Sequence, residues 1–266
     1  MTCPWILGIL NLTPDSFSDG GEFLHAQRAL EQARRLVAEG STHLDVGAES
    51  TRPGAAPVSE EEEWSRLEPV LRRLQSELPR VPWSLDTRHA GVATRALGYG
   101  PSLLNDVTGL TDPAMVQAAL SFSGSVIAMR SRRAGDAFHM PPYEGPGATS
   151  PEDAVRELRA LRDRLLAAGL PPERILLDPG FGFGTTWTED RALWAFLPQL
   201  PEALDWPVER ICLGISRKRF TAWMAGDPAL PPQARDGITR QLHTHARTLG
   251  YRVFRTHALP CFTDGP

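Results

Sequence analysis

Ile175-Leu-Leu-Asp-Pro-Gly-Phe-Gly-Phe-Gly184 joins a short apolar run to a carboxylate and a glycine-rich turn. The order apolar run, polar cluster, amphipathic helix recurs along the chain. It predicts eight β-strands, several of them near-continuous Ile, Leu and Val, as is typical of parallel strands covered by helices. The predicted strands are Trp5–Leu12, His43–Ala48, Pro82–Asp86, Ser102–Asp106, Ser125–Met129, Ile175–Asp178, Ile211–Ile215 and Arg252–Arg255.

Helical periodicity fills the segments between these strands. One apolar stripe ends before Gly40 and comprises Ala26, Ala29, Leu30, Ala33 and Val37. Ser59 and Glu62 form a capping-box pattern before a helix that Pro69 is expected to kink or shorten. A third helix begins at Ser150-Pro151 and a late one carries the stripe Ile238, Leu242, Ala246 and Leu249.

Strands alternating with helices leave two α/β architectures, a closed (βα)8 TIM barrel and an open doubly wound sheet. A dinucleotide-binding open sheet calls for GxGxxG after its first strand, which Gly20-Gly21 does not supply. Polar clusters instead follow every strand, which favours the barrel. The length of 266 residues fits one such domain over residues 1–266.

Two segments interrupt this regularity. Arg130–Ser150 has no clear periodicity and is longer than most connections, so it is either a functional lid or disordered. Nine residues follow His257, too few for an eighth helix, which we expect to be missing or replaced by a short tail.

The composition indicates an ordinary globular protein. A net charge of −4 gives no overall attraction to nucleic acid or to an anionic membrane, and no apolar segment reaches the length of a membrane span. Cys3, Cys212 and Cys261 are odd in number, far apart and without a CxxC pair. This pattern argues against a disulfide framework or a structural zinc site and favours a cytoplasmic location.

In a (βα)8 barrel the polar residues at the carboxyl ends of the strands share one mouth. Each Asp or Asn among them, taken alone, also fits a role in a turn or a helix cap. Polar residues at so many strand ends together favour a functional site. These residues are Asn11, Asp45, Asp86, Asn105, Arg130, Asp178, Ser216, Arg217, Lys218, Arg255, Thr256 and His257.

These strand-end residues divide by chemistry. Asp86, Asn105 and Asp178 offer acceptors and one amide, which suits the ring-nitrogen and amino edge of a heteroaromatic base. Asn11 offers a hard oxygen of the kind that Mg²⁺ accepts when a phosphate completes its coordination. The positive charge suits a phosphate or diphosphate and comes from Arg52, Lys218, Arg255 and His257.

Other motifs are excluded. The chain has no GxxxxGK[ST] phosphate loop, and Gly180–Gly184 has the wrong spacing for a dinucleotide loop. His243 and His245 lie two apart on a predicted helix and cannot share a face, so we predict that both are surface residues. The other histidines, His25, His43, His89 and His139, form no HExxH-like spacing.

At these residues the chain resembles the dihydropteroate synthases, the folate-biosynthesis members of the pterin-binding (βα)8 family. The matching segments occur in family order, and the first two are long and specific. They are Gly8–Gly21, Gly47–Gly54, Ser84–Thr87, Leu104–Val107, Asp178–Gly184, Gly214–Lys218 and Arg255–His257. The resemblance implies a transferase that condenses 6-hydroxymethyl-7,8-dihydropterin diphosphate with p-aminobenzoate, using Mg²⁺, and that forms a homodimer.

The resemblance also implies roles for single residues. Pterin contacts are expected from Asp86, Asn105, Asp178 and Lys218, and diphosphate-side contacts from Thr51, Arg255 and His257, with Thr256 among the substrate-binding residues. Asn11 is expected to bind Mg²⁺. Phe17, Arg52, Pro53 and Ser216 are expected near p-aminobenzoate, beneath loops Thr13–Gly21 and Ser50–Gly54. The residues assigned to catalysis are Asp15, Lys218, Arg255 and His257.

The chain departs from the family pattern at three positions besides the missing helix. Met129-Arg130-Ser131 replaces Met-His-Met, Thr185 replaces a lysine, and Ala258 replaces an aspartate. Two alternative functions therefore stay in view, a related methyltransferase acting on methyltetrahydrofolate and a pterin-binding protein without turnover. The intact Ser50–Gly54 and Ser216–Lys218 segments speak against the methyltransferase, because diphosphate chemistry gives them a purpose.

Overall fold

Eight parallel strands form the frame of the protein. The computed structural model describes residues 3–13, 22–50, 56–132, 150–257 and 259, with only the backbone for residues 22–24. Its strands are β1 Trp5–Asn11, β2 His43–Gly47, β3 Trp83–Asp86, β4 Leu103–Asp106, β5 Ser125–Met129, β6 Ile175–Asp178, β7 Cys212–Leu213 and β8 Val253–Thr256. Each predicted strand is present, with bounds shifted by at most two residues.

The strands follow the order β6-β5-β4-β3-β2-β1-β8-β7, and every pair is parallel. A single bridge between Leu177 and Ile211 joins β6 to β7 at the remaining gap. This bridge nearly closes the sheet, which confirms the predicted (βα)8 barrel.

Helices lie between successive strands and cover the outside of the sheet. They are α1 Glu22–Ala38, α2 Glu60–Glu77, α3 Ala90–Ala96, α4 Pro113–Ser121, α5 Pro151–Ala167, α6 Trp187–Ala195, α7 Leu200–Leu204, α8 Arg219–Met224 and α9 Asp236–Thr248. The predicted absence of an eighth-repeat helix concerns residues beyond β8, of which the structure describes only His257 and Leu259. Within the described ranges, no helix combines the length and apolar character that a bilayer crossing requires.

The strand register sorts side chains between two faces, because successive residues of a strand point to opposite sides. A small apolar cluster fills the lower barrel interior: Leu7, Leu103, Ile127, Leu176, Cys212 and Val253. The larger core lies between the outer strand faces and the helices. On β3, for example, Leu85 belongs to that outer core. The near-continuous apolar strands are therefore buried on both faces, as predicted, and polar side chains such as Asp86 take the inner face only above the apolar layer.

Helix α2 runs unbroken through Pro69 to Glu77, so the predicted shortening is wrong. Leu67 and Val70, on either side of the proline, are fully buried, and this packing holds the helix despite the missing N–H. The predicted capping box is half present. Ser59 Oγ accepts from Glu62 N at 3.2 Å, whereas the Glu62 carboxylate pairs with Arg66.

The other two helix predictions had different outcomes. Helix α5 begins as expected at Pro151, where Ser150 and Asp153 cap each other reciprocally. On α9, His245 is exposed, but His243 is fully buried and its ring lies 5.0 Å from that of Phe254. Burial lowers the pKa of His243 to about 3. The surface prediction for His243 was wrong because it shares the inward face of α9 with Leu242 and Ala246.

Candidate active site

An arginine and two aspartates meet at the barrel mouth. Arg255 on β8 donates from Nε and Nη2 to Asp45 Oδ2 at 2.8 and 2.5 Å. Its Nη2 also donates to Asp86 Oδ2 at 2.6 Å. Burial disfavours the charge of Arg255, but Asp45 and Asp86 outweigh burial and raise the pKa of its guanidinium. The resemblance placed Arg255 on the diphosphate side, and the structure holds it against Asp86, an expected pterin contact, and against the buried Asp45.

The register explains why these side chains converge. Asp45 lies beside Ser84, and Gly47 beside Asp86, so both carboxylates occupy the inner face of the barrel. Asp86 lies beside Asn105 in turn. A Cβ at Gly47 would come within 3.1 Å of Asp86. Glycine at this position therefore keeps space open beside the carboxylate.

Burial sets the electrostatics of Asp86. It raises the pKa of this carboxyl to about 7, with Arg255 acting in the opposite direction and Asp45 adding to the rise. The side chain of Asp86 is 18% exposed, whereas that of Asp45 is completely buried. Asp86 is thus the member of the pair that a ligand in the mouth can reach.

Several buried polar atoms of this mouth meet no hydrogen-bond partner among the described residues. They are Asp45 Oδ1, Ser84 Oγ and Asn105 Nδ2, and all three residues are at most 2% exposed. Buried polar groups are nearly always hydrogen-bonded in folded proteins. Of these atoms, the Asn105 amide nitrogen lies beside the accessible Asp86 carboxyl, and this pair suits a polar ligand in the mouth.

Asp178 lies at the end of β6 on the opposite wall. Its Oδ1 accepts from Gly180 N at 2.8 Å, and burial raises the pKa of its carboxyl. A Cβ at Gly214 would lie 3.3 Å from its Oδ2, so this glycine also leaves room beside a carboxylate. Cys212 lies in the interior next to Asp178, and burial, with this carboxylate, raises the pKa of the thiol well above its ordinary value.

Lys218 reaches the same region from the segment after β7. Its Nζ lies 3.8 Å from the centroid of the Phe183 ring. Burial and the nearby Arg255 lower the pKa of the Lys218 ammonium to about 8, although Asp178, Asp190 and Asp86 oppose the shift. The Lys218 ammonium therefore loses its proton near pH 8, well below the range of an ordinary lysine.

The turn that carries Lys218 is fixed by its neighbours. Arg217 has φ +59°, a left-handed conformation that is uncommon outside glycine. Its guanidinium forms two 2.8 Å bonds to the Asp236 carboxylate, and its carbonyl accepts from Arg235. Beside it, Ser216 Oγ accepts from His257 N at 3.2 Å. Ser216 and His257 are thereby brought together at the mouth, as predicted.

The departures Arg130 and Thr185 have local structural partners. Arg130 is buried and donates to Glu157 Oε2 at 2.5 Å and to the Pro179 carbonyl at 3.1 Å. Thr185 Oγ1 accepts from Gly182 N at 3.0 Å and donates to Asp190 Oδ1 at 2.7 Å. Both residues therefore hold the segment that follows Asp178. Ala258 lies outside the described residues.

Two groups of residues concern a metal. Asn11 ends β1 beside Gly47, half-buried, with an amide oxygen suited to Mg²⁺. In a separate cluster, the ligand atoms of Glu49, Glu63 and His89 lie within 4.8 Å of one another. Arg88 already pairs with both Glu49 oxygens at 2.8 and 2.9 Å, and His89 Nδ1 lies 2.6 Å from Glu63 Oε2. Arg88 thus offsets the charge of Glu49, and the hydrogen bond to Glu63 raises the pKa of His89.

The predicted site residues fall into three groups: those at the mouth, those outside the described residues, and Thr256, which points away from the mouth. The structure brings Asp86, Asn105, Asp178, Lys218 and Arg255 together on the inner face, with Asn11, Ser216 and His257 nearby at the strand ends. Five predicted residues lie outside the described residues: Asp15, Phe17, Thr51, Arg52 and Pro53.

Thr256 does not join the mouth. It is fully buried and lies beside Gly8 in the sheet. A Cβ at Gly8 would meet Ser41 and Leu36, which marks the outer face. Because side chains alternate along a strand, the Thr256 side chain points away from Arg255 and into the helix layer.

Sequence reasoning gave no role to Asp45 and passed over Asp190. Asp45 was visible as a charged residue within an apolar strand, a signal that pointed to an interior partner. Asp190 lies on α6, far from any strand end, and nothing in its local sequence distinguished it from a solvated helix residue.

Comparisons with known proteins agree with this geometry. The sequence profile of the pterin binding enzyme family matches residues 7–257. The chain is 36% identical over 269 residues to the dihydropteroate synthase of Neisseria meningitidis serogroup C, across 98% of this chain and 90% of that protein. It is 35% identical to the Xanthomonas albilineans dihydropteroate synthase solved with 4-aminobenzoic acid, with a TM-score of 0.84 across 98% of this chain and 90% of that one.

A second solved structure is similar to the same degree. It is the dihydropteroate synthase of Anaplasma phagocytophilum with bound 6-hydroxymethylpterin-monophosphate. The identity is 35% and the TM-score 0.84, across 98% of this chain and 96% of that one.

Proposed function

The chain belongs to the pterin binding enzyme family, and from this membership we propose that it catalyses the dihydropteroate synthase reaction. It condenses 6-hydroxymethyl-7,8-dihydropterin diphosphate with p-aminobenzoate to give 7,8-dihydropteroate and diphosphate. The observation that carries the proposal is the inner face of the mouth, where the reachable Asp86 carboxyl lies beside Asn105, whose amide nitrogen has no partner among the described residues, and the two match the polar edge of a pterin.

The reaction breaks the bond between the pterin methylene carbon and the diphosphate oxygen. A bond then forms between that carbon and the arylamine nitrogen, which loses a proton. An arylamine is neutral and nucleophilic at pH 7, so the protein needs no activated serine or cysteine. The protein has to orient the pterin, to stabilise charge as the diphosphate leaves and to place the amine in line with the bond that breaks.

The described residues can perform the orienting part. Asp86 and Asp178 accept N–H groups of the pterin edge, and Asn105 offers both a donor and an acceptor. Arg255 fixes the Asp45 and Asp86 carboxylates, so that little reorganisation is needed when the ring binds. Lys218, protonated below about pH 8, supplies positive charge between the heterocycle and the leaving group.

Thr51, Arg255 and His257 stay the proposed contacts of the leaving diphosphate, and His257 N donates to Ser216 Oγ at 3.2 Å. Asn11 would hold Mg²⁺, which when bound neutralises the diphosphate oxygens. Asp15 on the first loop stays the proposed partner of the cationic methylene. Phe17, Arg52, Pro53 and Ser216 stay proposed contacts of p-aminobenzoate.

One assay tests this function. Purified protein is incubated with the pterin diphosphate, p-aminobenzoate and MgCl2, and released diphosphate is measured. We expect release that stops when either p-aminobenzoate or magnesium is omitted. Binding of the pterin diphosphate without release would instead support the silent pterin-binding alternative, and methyl transfer to a corrinoid protein would support the methyltransferase.

A homodimer is also proposed. Two large apolar side chains of the described residues are left exposed, Trp223 at 42% and Met224 at 36%, both on α8. Trp223 stacks on Trp187 with ring centroids 4.1 Å apart. Light scattering after size exclusion should give twice the 29.2 kDa mass of the chain, whereas the single-chain mass would contradict the dimer.

The cytoplasmic location stays a proposal as well. It is supported by Cys3 and Cys212, which are both free thiols.

A further inference from the structure

The glycine-rich segment Gly180–Gly184 connects two residues of the mouth. At its start, Gly180 N donates to Asp178 Oδ1 at 2.8 Å. Further along, the Phe183 ring lies 3.8 Å from Lys218 Nζ, and a Cβ at Gly182 would come 3.1 Å from Lys218 Cδ. The path of this segment therefore sets where Asp178 and Lys218 stand relative to each other.

One backbone hydrogen bond within the segment, from Phe183 N to the Gly180 carbonyl at 3.1 Å, does not by itself fix this path. Gly180, Gly182 and Gly184 have φ values of +75°, +72° and +75°, in a region that other residues rarely adopt. No strand or helix ladder runs through these residues. Backbone groups in such a segment need side-chain partners if the conformation is to be unique.

A threonine and an aspartate supply these partners. Gly182 N donates to Thr185 Oγ1 at 3.0 Å and to Asp190 Oδ1 at 3.2 Å. Thr185 Oγ1 donates in turn to the same Asp190 oxygen at 2.7 Å. Asp190 Oδ1, on α6, thus accepts hydrogen bonds from both Gly182 N and Thr185 Oγ1.

Both residues are buried, Thr185 at 7% exposure and Asp190 at 3%. A buried carboxylate is costly unless it is paired or hydrogen-bonded. Burial raises the pKa of Asp190 to about 6, against the bonds from Thr185 and Gly182 and the charges of Lys218 and Arg130. The carboxylate is therefore mostly ionised at neutral pH, and its charge, with that of Asp178, raises the pKa of Lys218 against burial.

Resting on the proposed function, we propose that Thr185 and Asp190 are positioning residues for Lys218: they fix Gly182 and Phe183, and through them the place and charge of the lysine. Thr185 is one of the positions where the chain departs from the pattern it resembles. In this chain a hydroxyl and a carboxylate hold the segment. Neither residue is assigned a contact with substrate.

The first test compares threonine variants. Thr185→Val keeps the shape but removes both hydrogen bonds, and we expect kcat/KM for the pterin diphosphate to fall about tenfold or more. Thr185→Ser restores a hydroxyl and should recover most of the activity. Thr94→Val is the matched control, since the Thr94 hydroxyl bonds only within α3, to the Ala90 carbonyl at 2.8 Å. It should leave kcat/KM unchanged.

The second test uses Asp190→Asn and the pH profile of kcat/KM. The charged groups around Lys218 are Arg255, Asp178, Asp190 and Asp86. Removing the negative charge of Asp190 makes the lysine easier to deprotonate, so the alkaline limb should move to lower pH. Thr185→Val keeps the Asp190 carboxylate and removes only one of its hydrogen bonds, so it should lower activity and move the limb less than Asp190→Asn does. A merely structural role would not produce this difference.

The outcomes separate the inference from the proposed function. Each variant is also titrated with the pterin diphosphate by calorimetry. A wild-type protein that binds without turnover contradicts the proposed function, and the inference is then judged by weaker binding in Thr185→Val and recovery in Thr185→Ser. Thr185→Val matching Thr94→Val, no recovery by serine, or an unmoved limb in Asp190→Asn each overturns the inference. If Thr185→Val does not fold, Asp190→Asn alone decides.

Discussion

At the scale of single residues, the main feature is that the Arg255 guanidinium donates hydrogen bonds to two carboxylates, Asp45 and Asp86, inside the barrel. Asp45 is wholly buried and Arg255 is nearly so, with side chains 0% and 11% exposed. A buried ion pair contributes little net stability when intact, but removing one partner leaves a charge that burial penalises. The cluster therefore specifies the shape of the mouth more than it stabilises the fold.

This argument predicts the cost of Asp45→Ala. Loss of the carboxylate leaves Arg255 with Asp86 as its remaining acidic partner, and the free energy of unfolding should fall by about 3 kcal/mol. Urea denaturation measures this change. The control is Glu39→Ala, which breaks the exposed ion pair with Arg35 and should change stability little. Equal effects of the two variants would contradict a special role for the buried cluster.

Lys218 gives a second residue-scale prediction. Its pKa of about 8 means that the ammonium is present below pH 8 and is lost as the pH rises through that value. Affinity for the anionic pterin diphosphate should therefore weaken on the alkaline side, with a midpoint near pH 8. In Lys218→Arg the side chain no longer titrates in this range, so the alkaline limb should disappear even if affinity falls. Its persistence in the arginine variant would assign the limb to another group.

At the scale of elements, α2 shows tertiary packing overriding a local signal. Pro69 cannot donate to the Ser65 carbonyl, yet the helix continues for two further turns. The buried residues Leu67, Val70, Leu71 and Leu74 attach both halves to the same outer core. The proline thus weakens the helix without ending it.

We accordingly expect Pro69→Ala to stabilise the protein. The substitution restores one backbone hydrogen bond and removes the steric conflict of the ring, whereas the unfolded chain gains some entropy. The net gain in the free energy of unfolding should be about 1–2 kcal/mol, measured by urea denaturation. A loss of stability would mean that the Pro69 ring contributes packing that alanine cannot replace.

At the scale of the whole molecule, the barrel has a weak seam. β1 and β2 are joined over five residue pairs, whereas β7 pairs with β8 over two and meets β6 through the single Leu177–Ile211 bridge. β7, which precedes the segment that carries Lys218, is therefore the strand least firmly attached to the sheet. Local opening should begin there, because the free energy of opening follows the local density of contacts and hydrogen bonds.

Hydrogen exchange tests the seam. After correction for intrinsic rates, the amides of Cys212 and Leu213 should exchange at least about tenfold faster than those of Leu7 and Leu10 in β1. The comparison is made within one sample, so pH and temperature are shared. Equal protection of the two strands would show that the barrel opens only as a unit.

The sequence by itself determined the eight strands, the barrel and most of the mouth. Apolar runs ending in Asp or Asn identified β3, β4 and β6 together with Asp86, Asn105 and Asp178, because strand formation and strand-end chemistry depend on neighbouring residues. The glycine-rich segment and Ser216–Lys218 could be identified from the sequence because they, too, are defined by neighbouring residues. The resemblance to a pterin-binding family rested on these segments among others.

Only the tertiary structure decided which of these groups touch and which face each side chain takes. Arg255 meets Asp45 across 210 residues of chain, Thr256 turns outward one position later, and His243 is buried on the inward face of α9. Asp190 reaches Gly182 only because α6 folds back over the segment that precedes it. These contacts follow from how the register of eight strands closes into a barrel, a property of the whole sheet that no local stretch of sequence contains.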